Sequence, residues 1–205
     1  MEGLTGLRTA QGDVHINGQP VSLRSPQQAQ AAGLCYLTED RKGRGLLLQK
    51  GMRENLTLQA LPDFSNWLID HAAEEDALTK AIADFDIRAP TRDVLVGNLS
   101  GGNQQKLLIA KIMLTEPDIV IIDEPTRGID IGTKQQIYEF IHALSAAGKS
   151  IIVVSSEMQE VIGLADRVLV MRLGTIAGEV SGDDMTEDKI VRLAMGLGAN
   201  RQEAI

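Results

Sequence analysis

Two adjacent carboxylates, Asp123 and Glu124, close an apolar run that begins after Asp118 and stops at Pro125. Consecutive branched apolar residues between two acids read as a strand buried on both faces of a parallel sheet. Sheets of this kind collect their ligands at the carboxyl ends of the strands. Successive strand side chains alternate faces, so one carboxylate is expected to hold Mg²⁺, through water, while the other orients or deprotonates an attacking water. A strand that merely ends in a polar turn shows the same pattern, and short motifs recur by chance.

A second feature is LSGGNQQK, from Leu99 to Lys106. Ser100 suits the cap of a helix, Gly101 and Gly102 permit close approach to the backbone, and the helix start turns free N–H groups toward an anion. A plain helix cap reads identically. Arg127-Gly-Ile-Asp130 follows Pro125, and Asp130 suits the cap of a helix starting near Gly132. Gly148-Lys149-Ser150 imitates the end of a phosphate-binding P-loop, but Ala143 stands where its first glycine belongs. The triplet also follows a helix and opens a strand, the reverse of a P-loop. It reads as a helix-ending glycine with a cation near the negative helix end.

The elements that must position these residues follow from periodicity and punctuation. Asp13 to Leu23 reads as a hairpin about Asn17-Gly18. Ser25-Pro26 opens a short helix that Gly33 ends, and Leu34 to Leu37 is a short buried strand. From about Gly51 to Asn98 the chain reads as helical and amphipathic, with Leu78, Ile82 and Phe85 on one stripe. An apolar helix is expected from about Gly102 to Leu114. A striped helix carries Ile137, Phe140, Ile141 and Leu144, and a two-sided buried strand runs from Ser150 to Ser155. A short helix over Glu157 to Leu164, a hairpin about Gly174, a helix over about Thr186 to Met195 and a frayed tail complete the chain. Alternating strands and helices mean an α/β fold with a mostly parallel sheet.

Bulk properties narrow the partners. A net charge of −8 argues against nucleic acid, although not against docking on a membrane protein. The single Cys35 lies in a strand-like apolar stretch and reads as a buried structural thiol. No apolar run reaches the roughly 20 residues of a membrane span, and three scattered histidines give no metal-site spacing.

Taken in order, LSGGNQQK, then DEPTRGID (Asp123 to Asp130), then a strand ending in Ser155-Ser156-Glu157 resembles the ATP-binding-cassette (ABC) ATPase family over essentially the whole chain. With Glu39-Asp40-Arg41-Lys42 added, the set is similar to the C-terminal cassette of the double-cassette ATPase subunits of bacterial monosaccharide importers, of the ribose, galactose and xylose type. The resemblance implies a P-loop-NTPase-type ABC cassette with an inserted helical subdomain, N-terminally truncated. Residues 1–50 would be partial ATPase core and 51–98 the helical subdomain. Residues 99–205 would be core carrying the signature, Walker B, D-loop and switch regions.

The resemblance also implies roles. Ser100, Gly101 and Gly102 match the signature loop that contacts the γ-phosphate of ATP held by an opposite cassette, with Asn103 where many members have Gln. Asp123 matches the metal-holding Walker B aspartate and Glu124 the catalytic glutamate. Gly128, Ile129 and Asp130 match the D-loop, which crosses the dimer interface. Glu39 stands where the Q-loop glutamine usually lies, and Ser156 where the switch histidine lies. Residues 1 to 11 resemble the stretch just after the Walker A helix, and no P-loop precedes them. The chain is therefore expected to be a fragment of a longer polypeptide or a truncated product. ATP and Mg²⁺ are the implied cofactors in the intact assembly. A second cassette and a transmembrane permease are the implied partners. The implied location is cytoplasmic, peripheral on the inner face of the bacterial plasma membrane. The expected function is an ATP-coupling cassette of a sugar importer that lends its signature loop to a shared site, with little turnover by the chain alone. A non-catalytic docking or regulatory module is the other reading.

Overall fold

The computed structural model describes residues 1–197; the tail expected to fray falls mainly at 198–205, outside the described residues. The chain divides into two units, residues 1–154 and a second beginning at Ser155.

In the first unit β1 (Val14–Ile16) and β2 (Gln19–Val21) form the expected hairpin, with Asn17 and Gly18 at φ 52° and 75° in its two-residue turn. Ser25 caps α1 (Pro26–Ala31), and β3 (Leu34–Leu37) follows. A single π-type turn occupies Arg41–Gly45. Then come α2 (Met52–Thr57), α3 (His71–Asp84), α4 (Gly101–Met113), β4 (Ile119–Asp123), α5 (Ile131–Ala146) and β5 (Ser150–Val154). The strands β3, β4 and β5 form a parallel sheet in that order. Val120, Ile121 and Ile122 of β4 are buried, as a central strand requires. β5 departs from the expected two-sided burial, since Ile152 is 38% exposed. Its only strand partner among the described residues is β4, so its other edge has no neighbouring strand.

α4 is the hub of this unit. Leu107, Leu108, Ile109, Ala110 and Ile112 are all buried, and each of the larger ones contributes about 1.5–3 kcal/mol. Gln104 and Lys106 are buried too, with their nitrogens paired, while Gln104 Oε1 has no hydrogen-bond partner among the described residues. Gln104 donates to the carbonyls of Val96 and Leu99, and the Lys106 ammonium donates to the Asp86 carbonyl at 2.8 Å. The 51–98 stretch is less regular than its pattern suggests, because regular α-helix covers only 52–57 and 71–84. Leu78 is buried as expected, whereas Phe85 sits at the C-cap of α3 and packs its ring on Phe140 of α5, centroids 5.3 Å apart. A long-range aromatic contact therefore fixes the end of that stripe.

The second unit holds α6 (Met158–Leu164), the hairpin of β6 (Arg167–Arg172) and β7 (Thr175–Ser181), and α7 (Glu187–Met195). Its own core is Val168, Val170, Val180 and Ile190. Leu173 and Gly174, at φ 47° and 80°, make the expected tight turn. Among the described residues no helix is long and apolar enough to cross a membrane.

One buried acid, Glu74 of α3, ties the helical stretch together. Its carboxylate accepts from Thr57 Oγ1 at 2.5 Å and lies 2.8 Å from His71 Nδ1 and 3.8 Å from Arg53 Nε. Burial alone pushes its pKa up, but the Thr57 and His71 hydrogen bonds and the Arg53 charge outweigh it and hold the acid below its ordinary 4.5. A depressed folded-state pKa stabilises the fold above the unfolded value, and that stability is lost as pH falls through the folded value. Denaturant midpoints measured from pH 7 downward should therefore drop below about pH 4. Glu74→Gln should flatten that drop while lowering stability at pH 7 by about 1–3 kcal/mol.

Candidate functional site

The chemistry-bearing residues of the first unit lie on three segments: 36–45 after β3, 99–103 at the start of α4, and 123–130 after β4. Ser100 is the N-cap of α4. Its hydroxyl oxygen accepts from the Asn103 backbone N–H at 3.4 Å and from Asn103 Nδ2 at 2.9 Å. Both bonds use the oxygen as acceptor, which leaves the exposed O–H free to donate outward. Asn103 Oδ1 accepts from the Arg88 N–H at 2.8 Å, so its amide bridges the cap and the preceding segment. The first turn leaves the Gly101 and Gly102 amides without intrahelical acceptors.

The two glycines also answer to packing. A Cβ on Gly102 would lie 2.7 Å from Thr133 Oγ1, and one on Gly101 would lie 2.9 Å from Arg41 Nη2 and 3.3 Å from the Gly128 carbonyl. Close backbone approach is thus required by α5 and the 127–130 segment, whatever ligand the loop faces. Asp130 caps α5 as expected, accepting from the Thr133 N–H at 3.0 Å and its hydroxyl at 2.9 Å. Those bonds hold the Asp130 carboxyl below its usual range. Gly128 adopts φ 67°, and Ile129 N–H donates to the Thr126 carbonyl at 3.3 Å.

Asp123 ends β4, and Tyr36 of β3 donates its hydroxyl to Asp123 Oδ2 at 2.7 Å. Burial and this bond push the Tyr36 pKa above its usual range, so the phenol stays a donor. Tyr36, Thr38, Glu39, Arg44 and Asp123 line an open cleft of about 370 Å³. Glu124 lies beyond the strand at φ 47°, a left-handed conformation uncommon for a side-chain-bearing residue. Strand alternation therefore stops at Asp123 and does not set the direction of Glu124. Its N–H donates to the Val154 carbonyl at 2.8 Å.

Mg²⁺ keeps several waters and takes one or two carboxylates besides phosphate oxygens. Asp123 has a carboxylate oxygen outside the Tyr36 bond and fits that mode. An all-protein cage does not fit, since no three His, Cys, Asp or Glu side chains cluster among the described residues.

Glu39 and Arg127 form an ion pair at 2.6 Å, and the Arg41 guanidinium donates to the carbonyls of Arg127 at 2.9 Å and Gly128 at 3.4 Å. These contacts join the segment after β3 to the 127–130 segment, and Arg41 Nη2 also lies beside Gly101 at the start of α4. Ser156 is exposed and belongs to the second unit, after β5. Tyr36, Arg41 and Arg127 escape sequence reasoning as contributors; opposite charges in EDRK and DEPTRGID are the one hint, across 86 to 88 residues. Cys35 is buried with its Sγ 3.2 Å from Thr115 Oγ1, and burial pushes the thiol pKa up, as an inert thiol requires. Lys149 Nζ donates to Asp118 at 3.1 Å after Gly148 at φ 83°, which disposes of the P-loop look-alike.

A parallel sheet ending in Asp-Glu, beside a glycine-containing helix start, is the architecture of a nucleotide-binding cassette. The ABC transporter family model matches residues 1–127, and the chain belongs to that family. It is 41% identical over 188 residues to the ribose import ATP-binding protein RbsA of Clostridium perfringens and 40% identical over 192 residues to that of Clostridium tetani. These alignments cover 91% and 93% of this chain but 38% of each relative's length. Among solved structures, a nucleotide-free ABC transporter cassette superposes with TM-score 0.78 at 20% identity, over 94% of this chain and 80% of that one. A dimeric cassette, MJ0796 bound to ADP and Pi, superposes with TM-score 0.72 at 17% identity, over 88% and 78%. These likenesses establish the fold.

Gly102→Ala should destabilise the chain by about 1–3 kcal/mol through overpacking against Thr133. In a thermal-denaturation cycle, Thr133→Ala should recover part of that loss, and strict additivity of the two changes would contradict the contact.

Proposed function

We propose that this chain is the ATP-coupling cassette of a sugar importer and lends its signature loop, Ser100 to Asn103, to an ATP site shared with a second cassette. The observation that carries this is the Ser100 hydroxyl, exposed at a helix start and keeping its proton for an outside acceptor. The Gly101 and Gly102 amides and the helix dipole add to its attraction for a phosphate. The relatives named for ribose import supply the substrate class, and the dimeric cassette bound to ADP and Pi supplies the precedent for pairing.

In such an assembly Asp123 would hold Mg²⁺ through its free oxygen, steadied by Tyr36, and Glu124 would orient water. When bound, Mg²⁺ neutralises charge on the phosphates. Glu39 is engaged by Arg127, and the switch position carries Ser156, whose hydroxyl lacks the general-base capacity of an imidazole. The chain's own carboxylate site is therefore the weaker one, and its signature loop is its main contribution. Docking on a transmembrane permease at the cytoplasmic membrane face falls to the helical stretch, where Trp67 and Leu68 are 99% and 85% exposed.

Ser100→Arg in the two-cassette subunit should abolish uptake of labelled sugar, and normal uptake would show the loop to be idle. Glu124→Gln should reduce turnover less than the matching change in the partner cassette. Equal loss would contradict the weak-site assignment.

A further inference from the structure

The Glu39-Asp-Arg-Lys42 run is more than a degenerate Q-loop position. Asp40 builds the π-type turn that follows it: its side chain accepts from the Gly43 N–H at 2.9 Å and its carbonyl from Arg44 and Gly45 at 3.0 and 3.1 Å. The far end of the turn is anchored on α4. A Cβ on buried Gly45 would lie 3.0 Å from Leu108, and Lys111 Nζ donates to the Gly45 carbonyl at 2.9 Å. Arg41 thus stands on a base fixed to the flank of α4 and reaches toward that helix's N-terminus.

There its two terminal nitrogens donate to consecutive carbonyls, Arg127 and Gly128, and Nη2 fills the space a Cβ on Gly101 would need. Glu39 takes the Arg127 side chain, so residue 127 is held at both ends, carbonyl by Arg41 and guanidinium by Glu39. The Arg41 Nε is buried without a partner among the described residues, which is unfavourable in itself. Simple solvation would not select that placement.

We propose that Arg41 is a positioning residue that clamps the 127–130 segment against the start of the signature helix, setting the Ser100 loop for the opposite cassette's nucleotide. Its consequence for ATP rests on the shared-site function proposed above, while the clamp itself stands on the contacts in this chain. A planar fork spans two consecutive carbonyls, whereas the ammonium of a lysine cannot reproduce both bonds.

The test has two arms. In amide hydrogen exchange on the 205-residue chain, Arg41→Ala should speed exchange at residues 101–104 and 127–130 by about tenfold and leave β4 and the interior of α5 unchanged. Arg41→Lys should be intermediate. In the two-cassette subunit, Arg41→Ala should lower kcat for ATP about tenfold with KM within about twofold, because another cassette grips the nucleotide. The defect caused by Gly101→Ala should shrink when Arg41 is already Ala, because Nη2 no longer opposes the new Cβ. Additive losses, or unchanged exchange in the Lys and Ala variants, overturn the clamp. If Arg41→Ala fails to fold, Arg41→Lys and Gly101→Ala carry both arms by the same criteria. Ser100→Arg separates the two claims. Full activity in that variant removes the shared-site function and leaves the exchange arm to decide the clamp. Lost activity there, with normal exchange and turnover in the Arg41 variants, removes the clamp alone.

Discussion

The close approach of two helix N-termini, those of α4 and α5, governs the rest of the site. Gly102 and Thr133 meet where any added methyl would overlap. Both helix starts carry partial positive charge, so their juxtaposition is unfavourable by itself. Ser100 and Asp130 offset it as caps, and Asp130 brings a full negative charge. The Ser100 hydroxyl keeps its proton on the exposed side of the α4 start, where an anion would complete the balance.

This constraint also explains the fate of Glu39. The segment after β3 bridges to the same junction, and its first three charged residues are engaged in doing so. Glu39 faces Arg127, Asp40 ties its own turn, and Arg41 holds the Arg127 and Gly128 carbonyls. A carboxylate committed to a guanidinium is poorly placed to serve a metal or a water. If Glu39 holds the Q-loop position, as the proposed function has it, loss of that chemistry and gain of a mechanical tie are two sides of one arrangement.

Much of this was legible in advance. Alternating strands and helices foretold the parallel sheet, Asn17-Gly18 and Gly174 foretold their turns, and the Ser100 and Asp130 caps sit where local chemistry puts them. Local pattern failed where the cause was distant. The Ile152 exposure depends on which strands flank β5, Phe85 is placed by a ring on α5, and Gly101 and Gly102 are dictated by neighbours brought in by the fold. The left-handed Glu124 is backbone geometry that a strand period cannot foresee. Tyr36 and Arg41 reach partners 86 to 87 residues away, beyond any local window.

The proposed shared site sets the start of α4 against a phosphate that another cassette holds. Amide exchange at residues 100–103 of the two-cassette subunit, compared with and without ATP, addresses it most directly. ATP should slow exchange there by about tenfold in the assembly and leave the isolated chain unaffected. Equal exchange with and without ATP in the assembly, or strong ATP protection in the isolated chain, would contradict it.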